Sequence, residues 1–137
     1  MTKSGPEYLL DTDICIYIAK QNPHSVRHRF EMLQPIQLAM SVITWGELRF
    51  GAQKSLRKSA ALQTLASLRE LIQVLPLSEF VAEHYGDIRE ALQSRGQSIG
   101  NNDLWIAAHA RASALTLVTH NTRELERVKD LKLEDWA

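Results

Sequence analysis

Residues 8–17 read YLLDTDICIY. An aliphatic run stops on two aspartates one residue apart, and the chain then turns apolar again. The run EYLL reads as a short strand buried on both faces. ICIYIAKQ reads as a helix that Asp13 can cap and Asn22-Pro23 ends. A strand that passes directly into a helix is the unit of an α/β fold, in which functional groups collect at the carboxyl ends of the strands. Asp11 and Asp13 therefore have two readings. Either they end one element and cap the next, or they line a charged site.

The same alternation continues outward. After a helix at 24–33, residues 36–43, IQLAMSVI, are apolar at nearly every position and rich in β-branched side chains, as a fully buried strand should be. Thr44 starts a helix through WGELRFGAQKS, and SAALQTLASLRELI supplies another with apolar residues at helical spacing, a candidate interface as well as core. IQVLPL is a third strand, and SEFVAEHYGDIREALQS is a helix stopped by Gly96. NDLWIAAHARAS follows the Gly100 loop as a helix. LTLVT is a strand, NTRELERV a short helix and LKLEDW a closing edge strand. With no repeat or linker, this order predicts one α/β domain over residues 1–137 with a central, mostly parallel sheet. Residues 1–6 read as a disordered lead-in.

Sixteen basic residues balance sixteen acidic ones, so no global positive field marks a nucleic-acid or membrane binder, although a local basic patch can sit beside an acidic pocket. Cys15 is the one cysteine, which excludes an internal disulfide, and its apolar neighbours make it a small core residue. The N-terminus lacks a signal-peptide core. No apolar stretch approaches the roughly 18 residues of a membrane span, which predicts a cytoplasmic protein.

Asp11 ends the first strand, Glu47 lies one turn into the helix after the second, Asp103 starts the helix after Gly100, and Asn121 follows the strand LTLVT. All four would project from one edge of a parallel sheet. Each has a local explanation. Asp13 can cap the first helix, Thr44-x-x-Glu47 matches a capping box, and Asn121-x-x-Glu124 matches a similar arrangement. Asn101 or Asn102 can cap the helix at Asp103, where the helix dipole favours an acid. Together, however, three or four carboxylates in a partly buried pocket could not all stay ionised without compensation. A divalent cation supplies it, and hard oxygen donors select magnesium or manganese. Such a site can orient and deprotonate a water for in-line attack on phosphorus. None of the five histidines pairs at metalloprotease spacing, so histidine offers no rival site.

Four blocks, YLLDTDI, SVITWGEL, SIGNNDLWIAAHA and LVTHNTREL with LEDW, resemble the signature blocks of PIN-domain ribonucleases, most closely the VapC toxins of bacterial VapBC toxin–antitoxin pairs. The resemblance runs over residues 8–136. It implies a three-layer α/β/α fold, often a homodimer, and a metal-dependent endoribonuclease, with structured RNA such as tRNA favoured. It also implies a cognate VapB antitoxin whose C-terminal segment lies across the site. By motif match Asp11, Glu47 and Asp103 are the shared acids, with Asp11 and Asp103 as direct ligands of Mg2+ or Mn2+ and Glu47 acting through water. The chain departs from the pattern twice. Asp13 stands where asparagine is usual, and His120-Asn121 follows Val118-Thr119 where a fourth acid is expected. Thr119, Asn121 and Asp13 then support the site, Glu124 is a candidate for the missing carboxylate, and a single resting metal is expected. Arg27, Arg29, Lys54, Arg57 and Arg123 are the candidates for holding the RNA backbone.

Two other readings compete. LLDTDI also fits the Asp-x-Asp motif of a haloacid-dehalogenase-type phosphatase, with Asp11 as nucleophile and Asp13 as acid/base, but no convincing lysine block follows. A non-catalytic PIN-like module that binds RNA or protein is the other, supported by Asn121 and opposed by the three retained acids.

Overall fold

The computed structural model describes residues 5–137, so most of the lead-in expected at 1–6 lies outside the described residues. The sheet contains β1 (Tyr8–Leu10), β2 (Leu38–Ser41), β3 (Gln73–Leu75), β4 (Thr116–Val118) and β5 (Leu133–Glu134), in the order β3-β2-β1-β4-β5. Every pairing is parallel. The connecting helices are α1 (Thr12–Lys20), α2 (His24–Glu31), α3 (Val42–Gln53), α4 (Lys58–Leu71), α5 (Glu79–Ser94), α6 (Asn101–Ala112) and α7 (Thr122–Leu125).

Adjacent strand residues face opposite ways, and this separates two cores. Leu9, Ala39 and Leu117 pack toward α5 and α6 with Val81, Ile88, Leu92 and Ile106. Leu10, Leu38, Met40 and Val118 pack toward α1 and α4 with Ile14, Ile18, Leu65 and Leu68. Helices on both faces complete the three layers. Leu9 and Leu10 are both fully buried, each contributing roughly 1.5–3 kcal/mol of apolar burial. Among the described residues, no helix is long and apolar enough to cross a membrane.

The chain builds β1, β2 and β3 outward on one side, then returns through α5 and α6 to place β4 on the other side of β1. The carboxyl ends of β1 and β4 therefore mark the point where strand order reverses, the place where such sheets open a crevice.

Three helix starts differ from the sequence reading. Val42 and Ile43 belong to α3 rather than β2, and Ser41, not Thr44, is the cap, its Oγ accepting from the Ile43 N–H at 3.1 Å. Asp11, not Asp13, caps α1. Gly100, rather than Asn101 or Asn102, precedes α6. In the first two cases the acceptor stands at the end of a buried strand, on Ser41 as the last residue of β2 and on Asp11 directly after β1, so the helix starts at once. Gly96 ends α5 as expected: at φ +67° it lets the Gly96 N–H reach the Gln93 carbonyl at 3.0 Å and the Gln97 N–H the Leu92 carbonyl at 2.9 Å.

Candidate active site

The Asp11 N–H donates to the Val118 carbonyl at 2.9 Å, so β4 fixes the backbone on which the carboxylate stands. That side chain is buried. Its Oδ1 accepts from the Thr12 N–H at 2.8 Å and its Oδ2 from the Thr119 hydroxyl at 2.8 Å. Thr119 is anchored in turn by its own N–H on the Glu134 carbonyl at 2.9 Å, while its Oγ1 accepts from the Asn121 N–H at 3.0 Å. The carboxylate that directly follows β1 is thus held by a hydroxyl that β4 and β5 position.

Asp13 sits in the first turn of α1. Its Oδ1 accepts from the Ile14 N–H at 2.7 Å and its Oδ2 from the His120 N–H at 3.1 Å, which ties the loop after β4 to the helix after β1. The capping box expected at Thr44 is not made. Glu47 instead turns across the crevice, where its Oε1 accepts from the Thr12 hydroxyl at 2.6 Å. Asp103 stands half-buried in the first turn of α6. Asn121 does not cap α7 through its side chain; its Nδ2 donates to Glu124 Oε2 at 3.2 Å.

These acids feel one another. Burial, followed by repulsion from Asp13, pushes the Asp11 carboxyl up to about 6, against the pull of the Thr119 and Thr12 hydrogen bonds. Burial also raises Asp13. Asp103 is raised by burial first and then by Glu124, Glu47 and Asp13. The residue after β1 and segments of α1, α3, α6 and α7 therefore bring negative charge into one crevice. Behind it, buried His109 Nδ1 lies 2.8 Å from Ser41 Oγ, and burial lowers the His109 pKa, which keeps that support neutral.

As the side chains stand, no three histidine, cysteine or acidic groups among the described residues are placed to hold a metal ion by themselves. The donor set is nonetheless all oxygen and mutually repelling. That chemistry fits a hard divalent cation held by one or two carboxylates and otherwise through water.

The basic candidates separate. Lys54 closes α3 and lines an open groove that also contains Glu47. Arg57, before α4, and Arg123, next to Glu124, are exposed. Arg27 lies toward the far end of α1, 3.1 Å from His24 and 3.8 Å from Glu31. Arg29 bonds Glu134 at 3.1 Å and lies over the Tyr8 and Trp136 rings. Those two arginines serve the scaffold. Thr12 and His120 are participants that sequence reasoning missed. Thr12 carried a signal, since it lies between the two aspartates, whereas the His120 contribution is a backbone N–H.

Residues 8–131 match the family model of the PIN domain. The chain belongs to the PIN-domain family. Ribonuclease VapC1 of Haemophilus influenzae is 41% identical over 131 residues, covering 95% of this chain and 98% of that protein. The tRNA(fMet)-specific endonuclease VapC of Shigella flexneri is 41% identical over 131 residues, covering 96% and 98%. Among solved structures, VapBC2 from Rickettsia felis bound to a promoter DNA fragment superposes with a TM-score of 0.89 at 37% identity, covering 95% of this chain and 98% of that one. VapBC-1 from nontypeable H. influenzae superposes at 0.86 with 41% identity, covering 94% and 97%. Family membership over nearly the whole chain sets aside the phosphatase reading of Asp11 and Asp13. In this PIN domain the acids gather where the strand order reverses.

Proposed function

We propose that this PIN domain is an endoribonuclease toxin of the VapC type, acting in the cytoplasm on RNA with Mg2+ or Mn2+ and restrained by a VapB-type antitoxin. The single observation that supports it most is the placement of Asp11, Glu47 and Asp103 in one crevice, with Asp11 raised to about 6 by burial and like charge. A cluster so destabilised by burial and then by its own charge is suited to a cation and to the phosphodiester the cation would bring in. Asp11 and Asp103 would hold the ion, with Glu47 reaching it through water. Bound there, the cation supplies Lewis-acid polarisation of a phosphoryl oxygen and favours deprotonation of a water.

The chain's own groups do the positioning. Thr119 and the Thr12 N–H fix both Asp11 oxygens, so that carboxylate offers its remaining lone pairs in one direction. The Thr12 hydroxyl orients Glu47 toward the crevice, where it can accept a proton from the attacking water. Asn121 orients Glu124 without adding charge, which favours one metal over two. The relative that cuts tRNA(fMet) makes tRNA the first substrate to test. Incubating the chain with tRNA and magnesium should produce discrete new ends, and Asp11→Asn and Asp103→Asn should not. Equal cutting by these variants and the parent would overturn the site assignment.

A further inference from the structure

Beside the acids, α3 and the start of α6 enclose an open groove of about 640 Å³ that includes Thr12, Glu47, Phe50, Lys54, Gly46 and Asn102. It shares Thr12 and Glu47 with the acid crevice and leads away from it along α3. Positions 46, 50 and 54 recur every four residues and form one stripe of the helix. Three features of the stripe are unexplained by the fold. The Phe50 side chain is 66% exposed, although a benzyl ring gains nothing from water. Lys54 Nζ lies over that ring, 4.9 Å from its centroid, and carries no ion pair among the described residues. Gly46 sits inside a helix, where alanine is the better former, yet an added Cβ would meet nothing within 4 Å. Packing does not require that glycine. Its missing side chain keeps the groove open.

We propose that this groove is a subsite for one unpaired nucleotide next to the scissile phosphate. Phe50 gives the base a face to stack on once the Lys54 ammonium that lies over the ring swings out to the phosphate beyond it, and Asn102 offers donors and acceptors to the base edge or sugar. The inference rests on reading the acid crevice as the place of cleavage. From Glu47 to Lys54 the helix rises about 10 Å, so the ammonium is displaced along the strand rather than competing for the same phosphate. Stacking on an aromatic ring works for any base. The subsite therefore selects single-stranded over paired RNA without reading sequence.

The test is fluorescence anisotropy with a fluorescein-labelled single-stranded oligoribonucleotide, in an Asp11→Asn background that leaves the RNA uncut. Phe50→Ala should weaken binding about tenfold, and Phe50→Trp should stay within about twofold of the background. Gly46→Leu should weaken binding by a similar factor while thermal unfolding occurs at the same or a higher temperature. A duplex of the same sequence should bind Phe50→Ala and its background alike. Unchanged single-strand affinity in Phe50→Ala and Gly46→Leu would overturn the subsite. If, in addition, Phe50→Ala shifts the sedimentation coefficient of the free chain, the ring covers a second copy instead. A parent that cuts RNA with no dependence on Phe50 keeps the nuclease reading and loses this one. A chain that binds RNA through Phe50 yet cuts none keeps the stacking contact but overturns the nuclease reading and, with it, a place beside a scissile phosphate.

Discussion

In the metal-free protein, replacing Asp11 by asparagine should make the fold more stable while removing the activity. The carboxyl rises from its ordinary value of 3.8 to about 6, so it ionises less readily in the folded chain than in the unfolded one. The folded state therefore loses stability as pH climbs from about 4 to 6 and stays lower above that. A shift of this size corresponds to roughly 3 kcal/mol at pH 7.5 and less than about 1 kcal/mol at pH 4. Asparagine keeps both contacts. Its carbonyl takes the Thr12 N–H, and its amide donates to Thr119 Oγ1 once that hydroxyl turns. Asp11→Asn should thus gain about 2–3 kcal/mol at pH 7.5, or roughly 6–9 °C in Tm, and gain little at pH 4. The assay is urea and thermal unfolding of both proteins in chelator across that range. Taking the difference cancels His109, whose lowered pKa makes stability fall as pH drops below the usual histidine value. Magnesium should then raise the parent's Tm and leave Asp11→Asn nearly unmoved. A variant that is destabilised at pH 7.5, or stabilised equally at both pH values, would refute the reasoning.

Removing the Thr12 hydroxyl with Thr12→Val should lower kcat about tenfold, since it frees Glu47 from a charge-assisted hydrogen bond, and KM for RNA should change little. Asp13→Asn should weaken divalent-cation affinity a few-fold by calorimetry and leave cleavage largely intact; abolished cleavage would place Asp13 among the essential acids. Lys54→Ala should weaken RNA binding and flatten its salt dependence by about one counterion. Arg29→Ala should leave RNA affinity unchanged and cost stability on the order of 1 kcal/mol, because that guanidinium serves Glu134 and the Tyr8–Trp136 pair.

The alternation of buried strands and helices is legible from local pattern, and so is the placement of Asp11, Glu47 and Asp103 at one edge of the sheet, because each lies just after a strand or in the first turns of a helix. Boundaries are less legible. Val42 and Ile43 are β-branched and continue the apolar run of β2, so nothing in the run itself shows that the helix has begun. Asp11 and Asp13 are both chemically suited to cap α1, and only the backbone decides between them. Glu47 carries a local capping signal, whereas its actual partner, Thr12, lies 35 residues away. The fates of Arg27 and Arg29 depend likewise on contacts made across the fold. Pattern reports what a residue can do, and long-range packing settles which option it takes.

The order of the strands also sets when the acids can assemble. Asp11 is among the first described residues of the chain, yet the hydroxyl that holds it is Thr119, and Thr119 hangs on the carbonyl of Glu134. A partly synthesised chain that has emerged only as far as α6 carries Asp11, Glu47 and Asp103 but lacks the hydroxyl that holds the second oxygen of Asp11. The site is therefore a late product of folding, completed only when β4 docks beside β1 and β5 beside β4. For a protein that cuts RNA, that ordering keeps the acid site incomplete until β5 is in place.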